Sequence, residues 1–178
     1  MITELFKRHP NYINPLKSLT SRPKRGPEDD IFYTFVAEQE IIDRQAHGDL
    51  VQYLEYAGNT YGTDRHDIED VIQHKLAAQA YVENGVLNLR KAGYKVIPIK
   101  IVGSNMPEEN LHRGNDRERA QEDQNRSQIE LDYALTVVND FTPGGLEKAL
   151  KQLEEFLHET LAKTISNRLA DRLKEKES

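Results

Sequence analysis

Short apolar runs separated by polar and turn-forming residues make up most of this chain. Three of them, AAQAYV, KVIPIKIV and LTVVND, are continuous, which is typical of buried parallel strands. A further strand is predicted for IFYTFV at 31–36, which is rich in β-branched and aromatic residues. The stretch LVQYLEYAGNTYGT predicts a β-hairpin around a Gly-Asn turn.

Helical periodicity falls between these strands. ITELFKRHP predicts a helix that ends before Pro10, AEQEIIDRQAHG a helix that ends at Gly48, and DRHDIEDVIQHKL a helix capped by Asp64. A fourth helix, VLNLRKAG, ends on a glycine. Because strand and helix patterns alternate, we predict an α/β fold in which helices flank a mostly parallel sheet.

The C-terminal part of the chain predicts one long amphipathic helix that begins near Thr142 and runs almost to the end. Its apolar residues recur at spacings of three and four: Leu146, Leu150, Leu153, Leu157, Leu161, Ile165, Leu169 and Leu173. We expect residues 1–156 to form the domain and 157–178 to extend this helix beyond it. Packing on the domain accounts for the first half of the stripe, whereas ISNRLADRL favours a partner, so homo-oligomerisation through this helix is a hypothesis.

Composition excludes several classes of protein. The 178 residues carry a formal net charge of −6, which argues against a nucleic-acid-binding protein. No apolar run reaches the roughly 18 residues of a membrane helix, and no signal peptide precedes the first predicted helix. With no cysteine there is no disulfide or thiolate metal site. We expect a cytoplasmic protein.

The positive charge is nevertheless clustered. One group comprises Arg22, Lys24 and Arg25, and a second comprises Arg113, Arg117, Arg119 and Arg126. Basic clusters in an acidic protein favour small anionic ligands over a polymer. The alternative interpretation is two solvated charged faces, and charge alone does not distinguish them.

Three segments in order resemble the guanylate kinase family. SLTSRPKRGPEDD followed by FYTFV is similar to the family's T-R-x-x-R and D-Y-x-F-V, and EYAGNTYGT is similar to G-N-x-Y-G-[ST]. NGVLNLRKAG, with VVND near the last strand, completes the resemblance. It implies the fold of the P-loop nucleoside monophosphate kinases, with a small GMP-binding β subdomain at about 18–75.

The resemblance also implies a function: transfer of the terminal phosphoryl group of ATP to GMP. The nucleoside monophosphate would be the ligand, with Arg22 and Arg25 binding its phosphate through charge-assisted contacts. Tyr33 and Tyr61 match the family's phosphate-contacting phenols, and Ser18 and Thr63 match hydroxyls that contact guanine. Half-buried sheet tyrosines and a solvated arginine turn are the structural alternatives.

The base site departs from the family pattern. Gln52 stands where the family has a glutamate that accepts both guanine N–H groups, and an amide offers only one acceptor. The family's D-x-D-x-Q-G reads here from Ala80 to Gly85, so Ala80 and Val82 replace the two aspartates unless a bulge brings Glu83 into use. These changes predict a weakened preference for GMP over AMP.

The phosphate loop is the largest departure. The family's first strand and G-x-x-x-x-G-K-[ST] loop, which hold ATP, match no segment of residues 1–178. Arg113, Arg117 and Arg119 resemble the catalytic lid arginines. The resemblance implies ATP and Mg²⁺ as cofactors, whereas these departures argue against both for this chain; from the residues alone we assign no metal ligand.

Two functions follow as alternatives: a nucleoside monophosphate kinase that is inactive as given, or a binding or assembly module for a phosphorylated or acidic partner. The first strand would lie inside the sheet, and its absence would leave buried backbone groups unpaired. We therefore expect that the chain starts too late, that the strands close up, or that another chain fills the gap.

Overall fold

The structure is a computed structural model that describes residues 1–56, 58–104 and 129–177, with only the helical backbone for 167–177. The elements are α1 (Ile2–Arg8), β1 (Ile13–Pro15), β2 (Ser18–Thr20), a 3-10 turn (Pro27–Ile31), β3 (Tyr33–Phe35), α2 (Glu38–His47), β4 (Leu50–Tyr56), β5 (Asn59–Asp64), α3 (Arg65–His74), β6 (Leu76–Ala78), α4 (Glu83–Lys91), β7 (Ile99–Gly103), β8 (Leu135–Asn139) and α5 (Gly145–Glu177). The predicted α/β class is confirmed.

Helix ends follow the signals in the sequence. The Asp64 side chain accepts a hydrogen bond from the backbone N–H of His66 at 2.8 Å, which is the predicted cap of α3. Gly48 ends α2 in the left-handed region at a φ of 81°. The predicted hairpin is formed by β4 and β5, with Gly58 in its turn at a φ of 70°.

The small subdomain is a four-stranded mixed sheet in the order β3-β2-β5-β4. β2 lies at its centre, parallel to β3 and antiparallel to β5. Helix α2 packs Ile41 against Leu19 and Leu50 in a small apolar cluster on this sheet. The sheet therefore fixes the positions of the side chains on β2, β3 and β5 relative to one another.

The larger part of the molecule contains two separate pairs of parallel strands, β1 with β6 and β7 with β8. Both pairs pack on one apolar cluster formed with α1 and α5, which contains Phe6, Ile13, Val137 and Leu150 among its buried members. Arg8 joins the two helices through Glu147, at 2.8 Å, and Glu154, at 3.4 Å. The two helices thus contact each other and share one apolar cluster with both strand pairs.

The predicted parallel sheet is therefore not continuous within the described residues. There, β6 pairs only with β1, and β7 pairs only with β8. Ile99 and Ile101 of β7 remain 36% and 48% exposed. Inner strands of a parallel sheet are covered on both faces, so β7 lacks the cover that such a strand normally has.

Helix α5 is the predicted C-terminal helix, and it spans 33 residues. Its buried side chains, including Leu153 and Leu157, face the shared apolar cluster, and Leu161 packs at the margin of that cluster. Ile165, one turn further, is 57% exposed. The helix therefore leaves the body of the domain near Leu161.

Candidate functional site

Two tyrosines meet over the centre of the four-stranded sheet. Strand pairing sets Tyr33 of β3 opposite Ser18, and Tyr61 of β5 opposite Thr20. Because β2 lies between the two tyrosine strands, their rings meet with centroids 6.1 Å apart. Burial raises the pKa of Tyr33, so its phenol stays protonated and can donate a hydrogen bond.

Arg22 lies beside these rings and is almost fully buried. Its guanidinium carbon lies 4.9 Å from the ring centroid of Tyr33 and 5.9 Å from that of Phe35, which places a cation against aromatic faces. The backbone N–H of Arg22 donates to Thr20 Oγ1 at 3.1 Å. The loop after β2 is thus fixed to the sheet, and the guanidinium is held in a partly apolar environment.

The carboxylate of Asp29 forms an ion pair with Arg22. Asp29 Oδ2 lies 3.0 Å from Arg22 Nη2 and accepts a hydrogen bond from the backbone N–H of Arg25 at 2.8 Å. Burial alone would raise the pKa of Asp29, but these two bonds outweigh it and hold that pKa below its ordinary value. The side chain of Arg25 is exposed. The loop therefore holds the Asp29 carboxylate between the Arg22 guanidinium and the Arg25 backbone N–H.

A second group of polar side chains lies across the same sheet. Strand register sets Thr63 next to Gln52, and Ser18 Oγ lies 3.3 Å from Thr63 Oγ1. The Thr63 hydroxyl donates to Gln52 Oε1 at 3.4 Å. All three residues are buried. The structure thus brings together the three residues for which the sequence predicted contact with the base.

Two members of this cluster were missed in the sequence. Gln79 Nε2 donates to Ser18 Oγ at 2.6 Å, and the Tyr81 hydroxyl lies 3.1 Å from Thr63 Oγ1. The sequence analysis considered Ala80 and Val82 at this strand end, where the family has two aspartates. The signal that could have found Gln79 and Tyr81 is alternation, since residues two apart in an extended segment share a face. Burial raises the pKa of Tyr81 to about 12.

Helix α4 closes over the cluster at Gly85. A methyl group on Gly85 would lie 2.7 Å from Gln52 Nε2 and 2.8 Å from Tyr81 Cδ1, so a larger residue would force these side chains to move. The cluster of Ser18, Gln52, Thr63, Gln79 and Tyr81 is therefore compact, and none of its side chains is charged at neutral pH. We call it the neutral cluster.

Only some of the other sequence predictions concern residues that the structure describes. The lid arginines Arg113, Arg117 and Arg119 lie outside the described residues. In the parts of the chain that are described, no three His, Asp or Glu side chains are grouped so that they could hold a metal ion. None of the helices described there is long and apolar enough to cross a membrane.

The fold and this site define an α/β protein in which an arginine-tyrosine cluster, paired with Asp29, lies beside a neutral polar cluster. The family model for guanylate kinase matches residues 1–160, which is most of the chain. This chain belongs to the guanylate kinase family.

Curated relatives agree with this assignment. The chain is similar to the guanylate kinase of Synechococcus sp. (strain CC9311), with 28% identity over 171 residues that cover 91% of this chain and 88% of the relative. It is 39% identical over 75 residues to the guanylate kinase of Vibrio parahaemolyticus, a match covering 41% of this chain and 36% of the relative.

Solved structures share the fold. The guanylate kinase from Anaplasma phagocytophilum superposes with a TM-score of 0.65 at 21% identity, covering 89% of this chain and 81% of that one.

Proposed function

We propose that this chain binds a nucleoside 5′-monophosphate, whose phosphate is held by Arg22, Arg25, Tyr33 and Tyr61. The observation that carries the proposal is the anion already present there: the Asp29 carboxylate on the Arg22 guanidinium and the Arg25 backbone N–H. A phosphate has the charge and the acceptor oxygens for the same donors.

Phosphate binding in this proposal is an exchange. The incoming phosphate replaces Asp29 on Arg22, and the exposed side chain of Arg25 adds a second guanidinium. The phenols of Tyr33 and Tyr61, with rings 6.1 Å apart, add neutral donors. Because Arg22 lies against the aromatic rings, its charge is poorly hydrated, which strengthens its interaction with an anion.

In this proposal the neutral cluster binds the base. Gln52 offers one acceptor and one donor, so it pairs with adenine, which presents an exocyclic donor beside a ring acceptor, better than with guanine's two adjacent N–H groups. We therefore propose a weakened or lost preference for GMP over AMP. Gln52→Glu should restore part of it, and calorimetric titration with both nucleotides tests this.

The family's reaction is ATP + GMP to ADP + GDP. Residues 1–178 contain no G-x-x-x-x-G-K-[ST] segment. The described residues include no group of three or more His, Asp or Glu side chains that could hold a metal ion. No described residue supplies the phosphate loop that would hold ATP, so we derive no step through ATP or Mg²⁺. We propose that the 178-residue polypeptide binds the monophosphate and does not phosphorylate it. A coupled kinase assay that finds turnover near the usual range of roughly 1–100 s⁻¹ would contradict this.

The phosphate site itself is tested with Arg25→Ala and the matched control Lys24→Ala. Both remove one exposed positive charge from the same loop, but Lys24 is paired with Asp30 at 2.5 Å, away from Arg22. A charged hydrogen bond contributes about 1.5–3 kcal/mol, so Arg25→Ala should weaken AMP or GMP binding roughly 10- to 100-fold. Equal losses of affinity in the two variants, measured by calorimetry, would show that nucleotide binding depends only on the overall positive charge of the loop.

Asp29 also supports a second candidate function: a binding module for a phosphorylated or acidic partner. Here an acidic side chain of the protein itself forms an ion pair with Arg22, so the acidic side chain of a partner could pair with Arg22 in the same way. Fluorescence titration with a phosphoserine peptide separates the candidates. Binding to the peptide without binding to AMP or GMP would favour the module.

Pairing of two copies through the C-terminal part of α5 is a further part of the proposal. It is supported by the exposure of Ile165 beyond the end of the domain core. Sedimentation equilibrium should show a dimer that Ile165→Lys weakens. A monomer at all concentrations would contradict the pairing.

A further inference from the structure

The amide of Gln79 is only half satisfied. Its Nε2 donates to Ser18 Oγ at 2.6 Å, whereas its Oε1 is buried and has no hydrogen-bond partner within the described residues. It is the one buried side-chain nitrogen or oxygen there with no partner. Buried polar atoms in native proteins are usually paired, and an orphaned one at a functional site calls for an explanation.

Thr63, at the centre of the neutral cluster, cannot supply that partner. The Thr63 hydroxyl lies within hydrogen-bonding distance of Ser18, Gln52 and Tyr81, at 3.3, 3.4 and 3.1 Å. A hydroxyl has one donor and two acceptor positions, so Thr63 is saturated. The buried position that stays open at Gln79 is an acceptor, and an N–H or O–H of a ligand would satisfy it.

We propose that Gln79 is a specificity-determining residue whose carbonyl oxygen accepts a hydrogen bond from the exocyclic amino group of a 6-aminopurine. This inference rests on the proposed function, since it assumes that a nucleoside monophosphate occupies the site. Gln79 lies one hydrogen bond from Ser18, within the cluster that the base would contact. The substrate class that follows is an adenine nucleotide rather than a 6-oxopurine nucleotide.

Donor and acceptor positions decide between the purines. Adenine's amino group has two N–H donors and lies between two ring nitrogens. One N–H and its neighbouring ring nitrogen suit Gln52, and the other N–H suits the Gln79 oxygen, with a donor such as the Tyr81 hydroxyl facing the second ring nitrogen. Tyr81 can turn to the ring nitrogen once it releases Thr63. Hypoxanthine presents an oxygen where adenine has its amino group, so its oxygen would face that of Gln79. Guanine has the same oxygen, and its two adjacent N–H groups need two acceptors where one is open.

Entry of the base is favoured at Gln79 for a further reason. Most groups in the cluster must break a hydrogen bond before they can make a new one with a ligand, which reduces the net gain. Gln79 Oε1 has no bond to break, and pairing removes the penalty of a buried unpaired acceptor. The contact should therefore contribute more to discrimination than a contact to Ser18 or Thr63.

The test is calorimetric titration of the intact chain with AMP, IMP and ribose 5-phosphate. AMP and IMP differ at the 6-position, and ribose 5-phosphate reports on the phosphate site alone. We expect AMP to bind about five- to tenfold more tightly than IMP. Gln79→Met, which removes both polar atoms, should abolish that ratio and leave ribose 5-phosphate binding unchanged.

Two further variants keep the test decisive. Gln79→Glu retains an acceptor and should retain the preference for AMP, so it covers the case in which the methionine variant fails to fold. Gln39→Met is the matched control, because Gln39 bonds to exposed Asp43 on α2, away from the cluster, and should leave all ratios unchanged.

The outcomes separate the two proposals. Binding of ribose 5-phosphate with equal affinities for AMP and IMP would overturn the role of Gln79 and leave the phosphate site standing. An AMP preference that survives in Gln79→Met would also overturn it. If none of the three compounds binds, the proposed function fails, and the inference fails with it.

Discussion

Replacement of Asp29 by asparagine should tighten phosphate binding. The Asp29 carboxylate, 16% exposed, lies 3.0 Å from the 6% exposed Arg22 guanidinium, so this ion pair is largely shielded from water. Any phosphate that reaches Arg22 must first break it. Such a charge-assisted bond contributes about 1.5–3 kcal/mol.

Asparagine keeps the shape of the side chain and an oxygen for the Arg25 N–H, but it loses the charge that competes with phosphate. We expect about 1.4 kcal/mol of the competing interaction to be removed, which is roughly a tenfold gain in affinity for AMP or GMP. The free protein should become less stable by about 1–3 kcal/mol, because Arg22 is left as a buried charge without its partner.

Isothermal titration measures the affinity, and thermal denaturation with and without nucleotide measures the stability. Asp30→Asn is the matched control, because it removes the same charge one residue away, at an exposed carboxylate that pairs with Lys24. Unchanged or weaker nucleotide binding in Asp29→Asn would refute the reasoning. An equal gain in Asp30→Asn would attribute the effect to net charge.

Three further predictions concern stability. The pKa of Asp29 is lowered in the folded protein, so its contribution to the free energy of unfolding is present above the ordinary pKa of 3.8 and is lost as the pH falls below it. In an acid titration followed by circular dichroism, Asp29→Asn should lack this part of the loss of stability. Gly85→Ala sets a methyl group 2.7 Å from Gln52 Nε2 and should cost about 1–3 kcal/mol in urea denaturation. Leu150→Ala, in the core, should cost about 2–5 kcal/mol, whereas exposed Leu146→Ala should cost far less.

Local structure could be read from the sequence because local chemistry determines it. Asp64 caps α3, Gly48 ends α2 in a left-handed conformation, and the Gly58 turn joins β4 to β5, each as the residue type predicts. These features depend on neighbours within a few residues. The motifs also placed Arg22 and Tyr33 on one loop-strand segment, and in the structure the Arg22 guanidinium lies against the Tyr33 ring.

Pairing between distant segments could be predicted only in outline. The apolar runs indicated parallel strands, yet nothing in them gave two separate pairs, β1 with β6 and β7 with β8. The same apolar runs are compatible with one continuous sheet and with two separate strand pairs, so the sequence pattern does not distinguish these arrangements. Which edges meet depends on the packing of both pairs over α1 and α5, and that is a property of the whole domain.

The sequence by itself determined the fold class, the helix ends and the arginines and tyrosines that we propose bind a phosphate. The tertiary structure alone decided that Asp29 pairs with Arg22, and that the side chains of Gln79 and Tyr81 join Ser18 and Thr63 in the neutral cluster. The physical reason is that hydrogen bonds between side chains depend on orientation, and a shift of one residue along an extended segment turns each side chain to the opposite face.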